Sequence, residues 1–387
     1  QQALAEKTRT PEKTKLYKEC NKNPQSLKCH INLANYLKEK GLMDELREAR
    51  EEFTQKTAFP LKLWKEWIME EIRHGDMDEE ETKGFITLHC AFALNDFQDI
   101  SLWITDLEIQ TNTSIDDDDD DDEDDSDSDS DDESDDDDSD DEKEATKFNF
   151  KQYKSREAFE HAMSKFGMHF SQGSKLWKIY LNYEMKQWRK LIRLDKMKNE
   201  KKKQKNNGDK FDKFEAAHRI ISIYKRQLSL PLKDNHHLIK KMKTFFNKHF
   251  NEEKYNNKIK ECIDNFDKIH NSTLKIRLKC EAHEMSIASA TKIFNNPNPS
   301  STATMMETNN SSKKVTKVKC SPIDSLYLKW MDYIDCLLEN NEMSLVLCCY
   351  DRAVTQLSSI LIPTSNSSDS SLTTYKKLWE SYLSHCI

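Results

Sequence analysis

Aromatic residues recur along this 387-residue chain at the spacing of an α-helix. The clearest pattern places a second aromatic residue three positions after the first and a glutamate four positions further on, as in Trp64, Trp67 and Glu71. Residues three, four or seven apart lie on one face of a helix. The pattern therefore predicts helices that each turn an aromatic stripe towards a core. A buried glutamate must be satisfied, and we expect its partner to be backbone or a neighbouring hydroxyl.

Further copies of this pattern follow along the chain. Trp177, Tyr180 and Glu184 repeat it in full. Other copies keep only some of the positions: Tyr327 and Trp330 with Ile334 in place of the glutamate, Trp379 and Tyr382 with Cys386 there, and Trp103 with Asp106 in place of the second aromatic residue.

A second pattern consists of an aromatic residue, a charged residue, a basic residue and then a small or polar one. Its copies are Phe159 to Ala162, Tyr224 to Gln227 with Arg226, and Tyr350 to Ala353 with Arg352; residues 46–53 form a looser relative. Trp64 and Trp103 are 39 positions apart, and a period near 40 built from two helices is typical of helical-hairpin solenoids. Because such a hairpin cannot bury its own apolar face, neighbouring hairpins stack into one continuous core.

Composition supports an all-α fold. The chain has only 6 Gly and 8 Pro, whereas sheet-rich proteins need many of both for their turns. Six scattered glycines also cannot form a dinucleotide fingerprint or a phosphate-binding loop. We therefore predict an α-solenoid of helical hairpins with disordered insertions, and we exclude the common nucleotide-binding enzymes.

One segment accounts for the negative net charge of −9. Residues 116–142 contain 22 acidic residues and five serines, and without them 47 acidic residues face 60 lysines and arginines. A block of like charge with no apolar residues stays solvated and disordered. It is either an inert spacer or a binding site for basic partners such as histones. Each of the five serines is followed three positions later by an acidic residue, which makes it a candidate phosphorylation site: Ser126, Ser128, Ser130, Ser134 and Ser139.

A lysine-rich run is expected to prolong the helix that begins near Leu176 and then to break it. It is a candidate nuclear import signal, a sequence-blind phosphate-binding patch or a solvated helix extension. Its lysines are Lys196, Lys198, Lys201, Lys202, Lys203 and Lys205.

Cysteine and histidine patterns give little support for metal or catalytic chemistry. Ten cysteines include no Cys-x-x-Cys pair, and reduced thiols of this kind are typical of intracellular proteins. Cys280 and His283 could share a helical turn, but zinc needs about four ligands and no second pair matches. We expect no cofactor, no enzymatic activity and, since residues 1–14 are polar and no long apolar run occurs, no secretion signal or membrane span.

These patterns divide the chain into segments. We expect the first repeats in 1–115, the acidic insert in 116–146 and further repeats in 147–294, with a lysine-rich loop at about 196–210. A Ser/Asn/Pro-rich linker is expected at 295–322, followed by more repeats in 323–387. The array is expected to be a fragment, because the chain begins without Met and stops inside a repeat.

The two aromatic patterns resemble those of the half-a-TPR (HAT) repeat, which occurs mainly in RNA-processing proteins. Three longer runs, 63–72, 156–177 and 223–232, are similar to segments of the spliceosome recycling factors within this family. Their order and approximate spacing also agree. The second run contains Gly-Met-His-Phe, and the third reads Ile-Tyr-Lys-Arg-Gln-Leu-Ser-Leu-Pro-Leu.

The resemblance implies a nuclear protein that helps U4 and U6 small nuclear RNAs re-anneal after splicing. In that family the helical repeats bind proteins, including a deubiquitinase and spliceosomal components, while two RNA-recognition motifs further along contact RNA. This chain contains no such motif, so RNA contact is expected outside it. Dimerisation, a property of the later repeats, has no direct support here. The alternatives are a scaffold for mRNA 3′-end cleavage or ribosomal RNA processing, and an acidic histone-chaperone-like protein.

Overall fold

The computed structural model describes residues 10–56, 59–75, 80–97, 99–111, 155–201, 212–250, 252–295, 321–361 and 369–386. Throughout these ranges the regular secondary structure is helical and no strand occurs, which confirms the all-α prediction. The chain forms two compact units, Gln1–Asp106 and Leu107–Ile387.

The first unit is built from short helices that pack against their neighbours in sequence. Helix α1 packs on α2, α2 on α3, and α4 on α5. Their bounds are α1 Pro11–Lys22, α2 Leu27–Glu39, α3 Met43–Lys56, α4 Leu61–His74 and α5 Glu80–Asp96, and α6, Ile100–Thr111, begins in this unit.

The second unit contains longer helices. They are α7 (155–166), α8 Gly173–Lys201, α9 Lys213–Ala216, α10 His218–Leu228, α11 Leu238–His249, α12 Asn256–Asn295, α13 Pro322–Glu339, α14 Met343–Leu361 and α15 Asp369–Cys386. Single 3₁₀ turns at Asn235–His237 and Glu253–Tyr255 precede α11 and α12. Helix α12 packs on α13, α13 on α14, and α14 on α15.

Two of the turns between packed helices have the same backbone conformation. Gly41, after α2, has φ +68°, and Asn341, after α13, has φ +59°. Gly41 N–H donates to the Lys38 carbonyl and Leu42 N–H to that of Leu37. In the same way, the N–H groups of Asn341 and Glu342 donate to the carbonyls of Leu338 and Leu337. This pattern satisfies the last carbonyls of a helix and requires a left-handed residue, which Gly and Asn adopt at least cost.

The core of each unit is made of the predicted aromatic and aliphatic stripes. Leu37 and Leu46 are fully buried between α2 and α3, and Trp64 and Trp67 lie in a cluster with Phe59. In the second unit one cluster of buried residues surrounds helix α13, and five of its members lie on that helix: Leu326, Trp330, Tyr333, Ile334 and Leu337.

Residues 233–271, in which neither aromatic sequence pattern recurs, also contribute to a core. Phe245 and Phe246 on α11 are buried and lie against the rings of Trp188 and Phe214. Phe250 and Tyr255 complete this aromatic cluster. A second-unit core thus includes the region in which sequence repeats were faintest.

Several predicted boundaries differ from the structure or fall outside it. Helix α8 continues to Lys201, so residues 196–201, expected to open the lysine-rich loop, are helical. The acidic tract and most of the 295–322 linker lie outside the described residues. No helix in the described ranges combines the length and apolar character that crossing a bilayer requires.

Candidate functional site

Helix α4 places the three residues of the first aromatic pattern together. Trp64, Trp67 and Glu71 are all buried, and the Trp64 and Trp67 rings stack with centroids 5.7 Å apart. The Trp67 indole N–H donates a hydrogen bond of 3.1 Å to Glu71 Oε1. The helical spacing of the pattern thus brings a carboxylate into an aromatic core.

The buried carboxylate of Glu71 is paired with an arginine of the preceding helix. Arg47 on α3 donates from Nε to Oε1 at 2.9 Å and from Nη2 to Oε2 at 2.6 Å. Burial alone would raise the pKa of Glu71, but these hydrogen bonds and the charge of Arg47 outweigh it, so the pKa lies below its usual value. The partner is therefore a guanidinium, rather than the backbone or hydroxyl expected from sequence, because a fork of donors satisfies both carboxylate oxygens.

The second complete copy has the same partner. Arg156 on α7 donates from Nε to Oε1 of Glu184 at 2.6 Å and from Nη2 to Oε2 at 2.9 Å. Glu184 is 3% exposed. Both arginines open an Arg-Glu-Ala run, at 47–49 and 156–158. The sequence therefore carried a signal for this pair, which a search for aromatic residues alone overlooks.

Glu70, next to Glu71, also joins helices of the first unit. Arg50 on α3 lies 2.8 Å from Glu70 Oε2, and Lys38 on α2 pairs with the same carboxylate. The Arg50 guanidinium lies 5.6 Å from the centre of the Trp67 ring. Lys38 of α2 and Arg50 of α3 therefore both pair with the Glu70 carboxylate of α4.

A different arginine arrangement involves the second sequence pattern. Arg226 on α10 donates two hydrogen bonds, of 2.6 and 2.7 Å, to Glu160 on α7. Its guanidinium carbon lies 5.1 Å from the centre of the Trp177 ring on α8. The hydrogen bonds from Arg226 hold the pKa of Glu160 below its usual value. One arginine thus connects three helices; we call Glu160, Trp177 and Arg226 the first stacked-arginine cluster.

The same cluster recurs later in the unit. Arg352 on α14 donates two hydrogen bonds, of 2.6 and 2.8 Å, to Glu284 on α12. Its guanidinium carbon also lies 5.1 Å from a tryptophan ring centre, that of Trp330 on α13. Glu284, Trp330 and Arg352 form the second stacked-arginine cluster.

This correspondence changes the register expected for α13. Trp330 occupies the place of Trp177, so the equivalents of Tyr180 and Glu184 are Tyr333 and Leu337. Tyr327, predicted as the first aromatic residue of this copy, is only half-buried. The sequence pattern was ambiguous because aromatic residues stand at 327, 330 and 333, all three positions apart.

Stacked rings accompany the clusters. The residue before the cluster's glutamate packs flat on the tyrosine three positions after its tryptophan. Phe159 and Tyr180 are 4.7 Å apart with planes at 7°, and His283 and Tyr333 are 5.2 Å apart at 2°. Such ring pairs add to the stabilisation from apolar burial. His283 in the second cluster thus occupies the position that Phe159 has in the first.

The candidate zinc ligands Cys280 and His283 belong to this packing. Cys280 is 1% exposed, lies in the apolar core around α13, and has a pKa raised by burial to about 11. It stands four residues before Glu284, as Arg156 does before Glu160, and faces an apolar environment instead of a glutamate. Within the described residues no group of three or more His, Cys, Asp or Glu side chains is arranged to hold a metal ion.

The remaining repeat residues differ in exposure. Tyr224 and Tyr350 are buried, Trp103 and Tyr382 are half-buried, and Trp379 is 37% exposed. The repeat positions therefore do not form one pocket; they lie at successive contacts between helices.

The predicted charged sites are only partly described. Lys196 is exposed near the end of α8. Lys198 and Lys201 lie on that helix, while Lys202, Lys203, Lys205 and the five candidate phosphorylation serines lie outside the described residues. Their predicted roles stay predictions.

Two groups of exposed apolar side chains lie on α5 and on α8. Leu88 and Phe92, four positions apart on α5, are 50% and 53% exposed. Leu191, Leu194 and Met197 form a similar stripe on α8. Large contiguous apolar patches mark protein-binding faces, whereas single exposed apolar residues are common on protein surfaces. Comparison of the chain with protein-family models and with curated proteins finds no match.

Proposed function

We propose that this chain is a nuclear protein–protein scaffold in RNA processing, the HAT-repeat region of a factor for U4/U6 snRNP assembly and recycling. The family in question is represented by the squamous cell carcinoma antigen recognised by T cells. The observation that carries the proposal is the recurrence of one side-chain arrangement, in which Arg226 and Arg352 each connect three helices in the same way.

The finer architecture is part of the proposal. We propose that the hairpins are HAT repeats stacked as an α-solenoid. The repeated Arg–Glu pairs, Arg47–Glu71 and Arg156–Glu184, support this, because each joins one hairpin to the next at equivalent positions. Repeat proteins depend on such nearest-neighbour contacts for stability.

A binding function follows from how the polar residues are used. The recurring arginines and glutamates pair with each other and are thereby committed to joining helices. Surface positions between them vary from helix to helix, as the exposed pair Leu88 and Phe92 illustrates. A rigid framework with variable faces suits the recognition of several proteins. On this proposal spliceosomal proteins and a deubiquitinase bind the repeats, and RNA is bound by RNA-recognition motifs outside this chain.

Affinity purification from nuclear extract tests the proposal. The tagged chain is compared with a variant that lacks residues 116–142, with bound proteins identified by mass spectrometry and U4 and U6 RNAs quantified. We expect snRNP proteins to be enriched equally on both forms. Recovery of 3′-end or ribosomal RNA-processing factors would favour another HAT scaffold. Histones bound only by the form with the tract, without RNA-processing proteins, would contradict the proposal and favour a histone chaperone.

A further inference from the structure

The start of α9 and the end of α11 meet α8 around the ring of Trp188. The Trp188 indole N–H donates a hydrogen bond of 3.3 Å to the Lys213 carbonyl, and the Lys213 ammonium lies 5.6 Å from the centre of the ring. The His249 ring stands edge-on to the same indole, with centroids 5.0 Å apart. Trp188 is 2% exposed, so it holds these three elements against one another.

Basic side chains from all three elements accumulate at this contact. Burial and the charges of Lys213, Arg189 and Lys248 lower the pKa of His249 to about 4. Burial, together with the charge of Lys196, also lowers the pKa of Lys213. Like charges oppose the protonation of a base, and these shifts therefore agree with the packing in placing the lysines and the arginine close together.

Helix α8 extends the positive surface. Arg189, Arg193 and Lys196 are exposed, and their spacings of four and three positions put them on one helix face. Asp195 is the single acidic residue in 185–197, and α11 has none. We call the following five residues the basic patch: Arg189, Arg193, Lys196, Lys213 and Lys248.

Acidic side chains beside the basic patch are paired with lysines outside it. Glu252, whose charge acts on Lys213, lies 2.6 Å from Lys254. Asp212 lies 3.2 Å from Lys258. The basic patch therefore keeps a surplus of positive charge.

The start of α7 brings the acidic segment of the chain close to this patch. Residues 116–142 lie outside the described residues, and Arg156 of α7 stands 14 positions after their end. Arg156 donates two hydrogen bonds to Glu184 on α8. On that helix Arg189 and Lys196 follow Glu184 by five and twelve positions, which is about 8 and 18 Å at the rise of an α-helix. Fourteen extended positions span up to about 45 Å, so the acidic segment can reach the basic patch.

Charge and linkage favour this segment as the occupant of the basic patch. Residues 116–142 carry 22 acidic residues, the complement of a cluster of cations. Because the segment belongs to the same chain, its effective concentration at the patch is on the order of millimolar, which a separate acidic protein must exceed. RNA has a further disadvantage, since Trp188 and Phe250 are 2% and 1% exposed and neither ring can stack on a base.

We propose that the basic patch is a docking site for residues 116–142 of the same chain. Their carboxylates pair with the guanidinium and ammonium groups of the patch, in surface contacts that salt weakens. The docked segment shields the patch from RNA and is itself withheld from basic partners such as histones. This inference goes beyond the scaffold function and does not depend on it.

Carbodiimide crosslinking of the whole chain, followed by mass spectrometry, tests the proposal. The reagent joins a carboxylate to a lysine amine where the two are in contact. We expect Lys196 and Lys248 to be linked to residues 116–142 at about 0.05 M salt, and the yield to fall at least about fivefold at about 0.5 M. Lys376 and Lys377, exposed on α15, are the reference lysines. Equal linkage of the reference lysines and the patch lysines would overturn the proposal.

Matched variants separate docking from mere nearness of the acidic segment. Arg189→Gln with Arg193→Gln removes two charges of the patch but leaves every lysine and the linker length unchanged. The yield at the two patch lysines should fall at least about twofold, since each lost ion pair weakens docking. Lys376→Gln with Lys377→Gln removes the same charge from α15 and should leave that yield unchanged. An unchanged yield in the arginine variant would overturn the proposal; Arg193→Gln alone gives the same test, with a smaller fall, should the double variant fail to fold.

Two further results would identify a different occupant. In a mixture of ¹⁵N-labelled and unlabelled chains, we expect the links to join residues of one chain. Links between labelled and unlabelled chains would assign the docked segment to a second copy and overturn the proposal. RNA binding that the arginine variant loses, measured by filter binding of an oligouridylate, would assign the patch to RNA and also overturn the proposal if no link to residues 116–142 forms.

Discussion

The guanidinium carbon of Arg352 lies 5.1 Å from the centre of the Trp330 ring. Arg226 stands at the same distance from Trp177, although the two arginines are on different helices, 126 positions apart. This repeated distance, together with two hydrogen bonds from each arginine to a glutamate, shows that the same interaction joins helices at two places in the second unit.

The two clusters should differ in strength because they differ in exposure. The Arg352 and Glu284 side chains are 17% and 15% exposed, whereas those of Arg226 and Glu160 are 42% and 46% exposed. We expect Arg352→Ala to lower the free energy of unfolding by about 3 kcal/mol, since it leaves a buried carboxylate unpaired, and Arg226→Ala by about 1 kcal/mol. Urea unfolding followed by circular dichroism measures both. Equal losses would show that burial does not set the strength of this contact.

His283 should be replaceable by phenylalanine. It stacks on Tyr333 as Phe159 stacks on Tyr180, so His283→Phe keeps the ring contact and should change the stability by less than about 1 kcal/mol. His283→Ala removes the ring and should cost about 2–3 kcal/mol. Thermal unfolding at pH 7.5 compares the two. A phenylalanine variant as unstable as the alanine variant would argue against a packing role for this ring.

How much of this arrangement could be predicted from sequence differs between residues. Trp64, Trp67 and Glu71 were placed correctly on one helix face, because helical spacing alone decides that. The partner of Glu71 was not, since Arg47 lies 24 positions earlier and a contact between helices depends on how they pack. The repeated Arg-Glu-Ala run was the available signal.

The register of α13 shows a second limit. Aromatic residues at 327, 330 and 333 fit the spacing equally well, and only the neighbour of each ring distinguishes them. The register follows from two contacts: Arg352 stacks on Trp330, and His283 stacks on Tyr333. His283 could not be recognised in advance, because a histidine in the place of a phenylalanine breaks the aromatic pattern.

The stability of the second unit should fall below neutral pH. Burial, helped by the charge of Arg352, lowers the pKa of His169 to about 3, whereas in the unfolded chain a histidine titrates near 6.5. As pH falls from about 6.5 towards 3, His169 therefore binds a proton in the unfolded chain but not in the folded chain, and the free energy of unfolding decreases.

Thermal unfolding between pH 7.5 and 4.5 measures this effect through its slope. His169→Phe should reduce the dependence of stability on pH over this range, whatever its effect on stability at pH 7.5. His161→Phe, at an exposed position on α7, makes the same replacement on the surface and serves as the matched control. An identical slope in the wild-type chain and the His169 variant would contradict the prediction.

The acidic tract should weaken RNA binding if it pairs with the basic remainder of the chain. Without residues 116–142 the net charge changes from −9 to +13. We expect deletion of these residues to tighten non-specific RNA binding at low salt, because more counterions are then released on binding, and the difference to shrink as salt is added. Filter binding at two salt concentrations measures it. An unchanged affinity at low salt would favour an inert spacer.

Arg47–Glu71 and Arg156–Glu184 are equivalent pairs that each join two consecutive helices, and double-mutant cycles on both pairs test this equivalence most directly. Each cycle compares the Arg→Ala, Glu→Gln and double variants by urea unfolding, with the exposed pair Lys62–Glu66 as the control. We predict coupling energies of about 2 kcal/mol for both pairs, since each glutamate is buried, and below about 0.5 kcal/mol for the control. Coupling in only one of the pairs, or in neither, would contradict the claim that one interaction repeats along the chain.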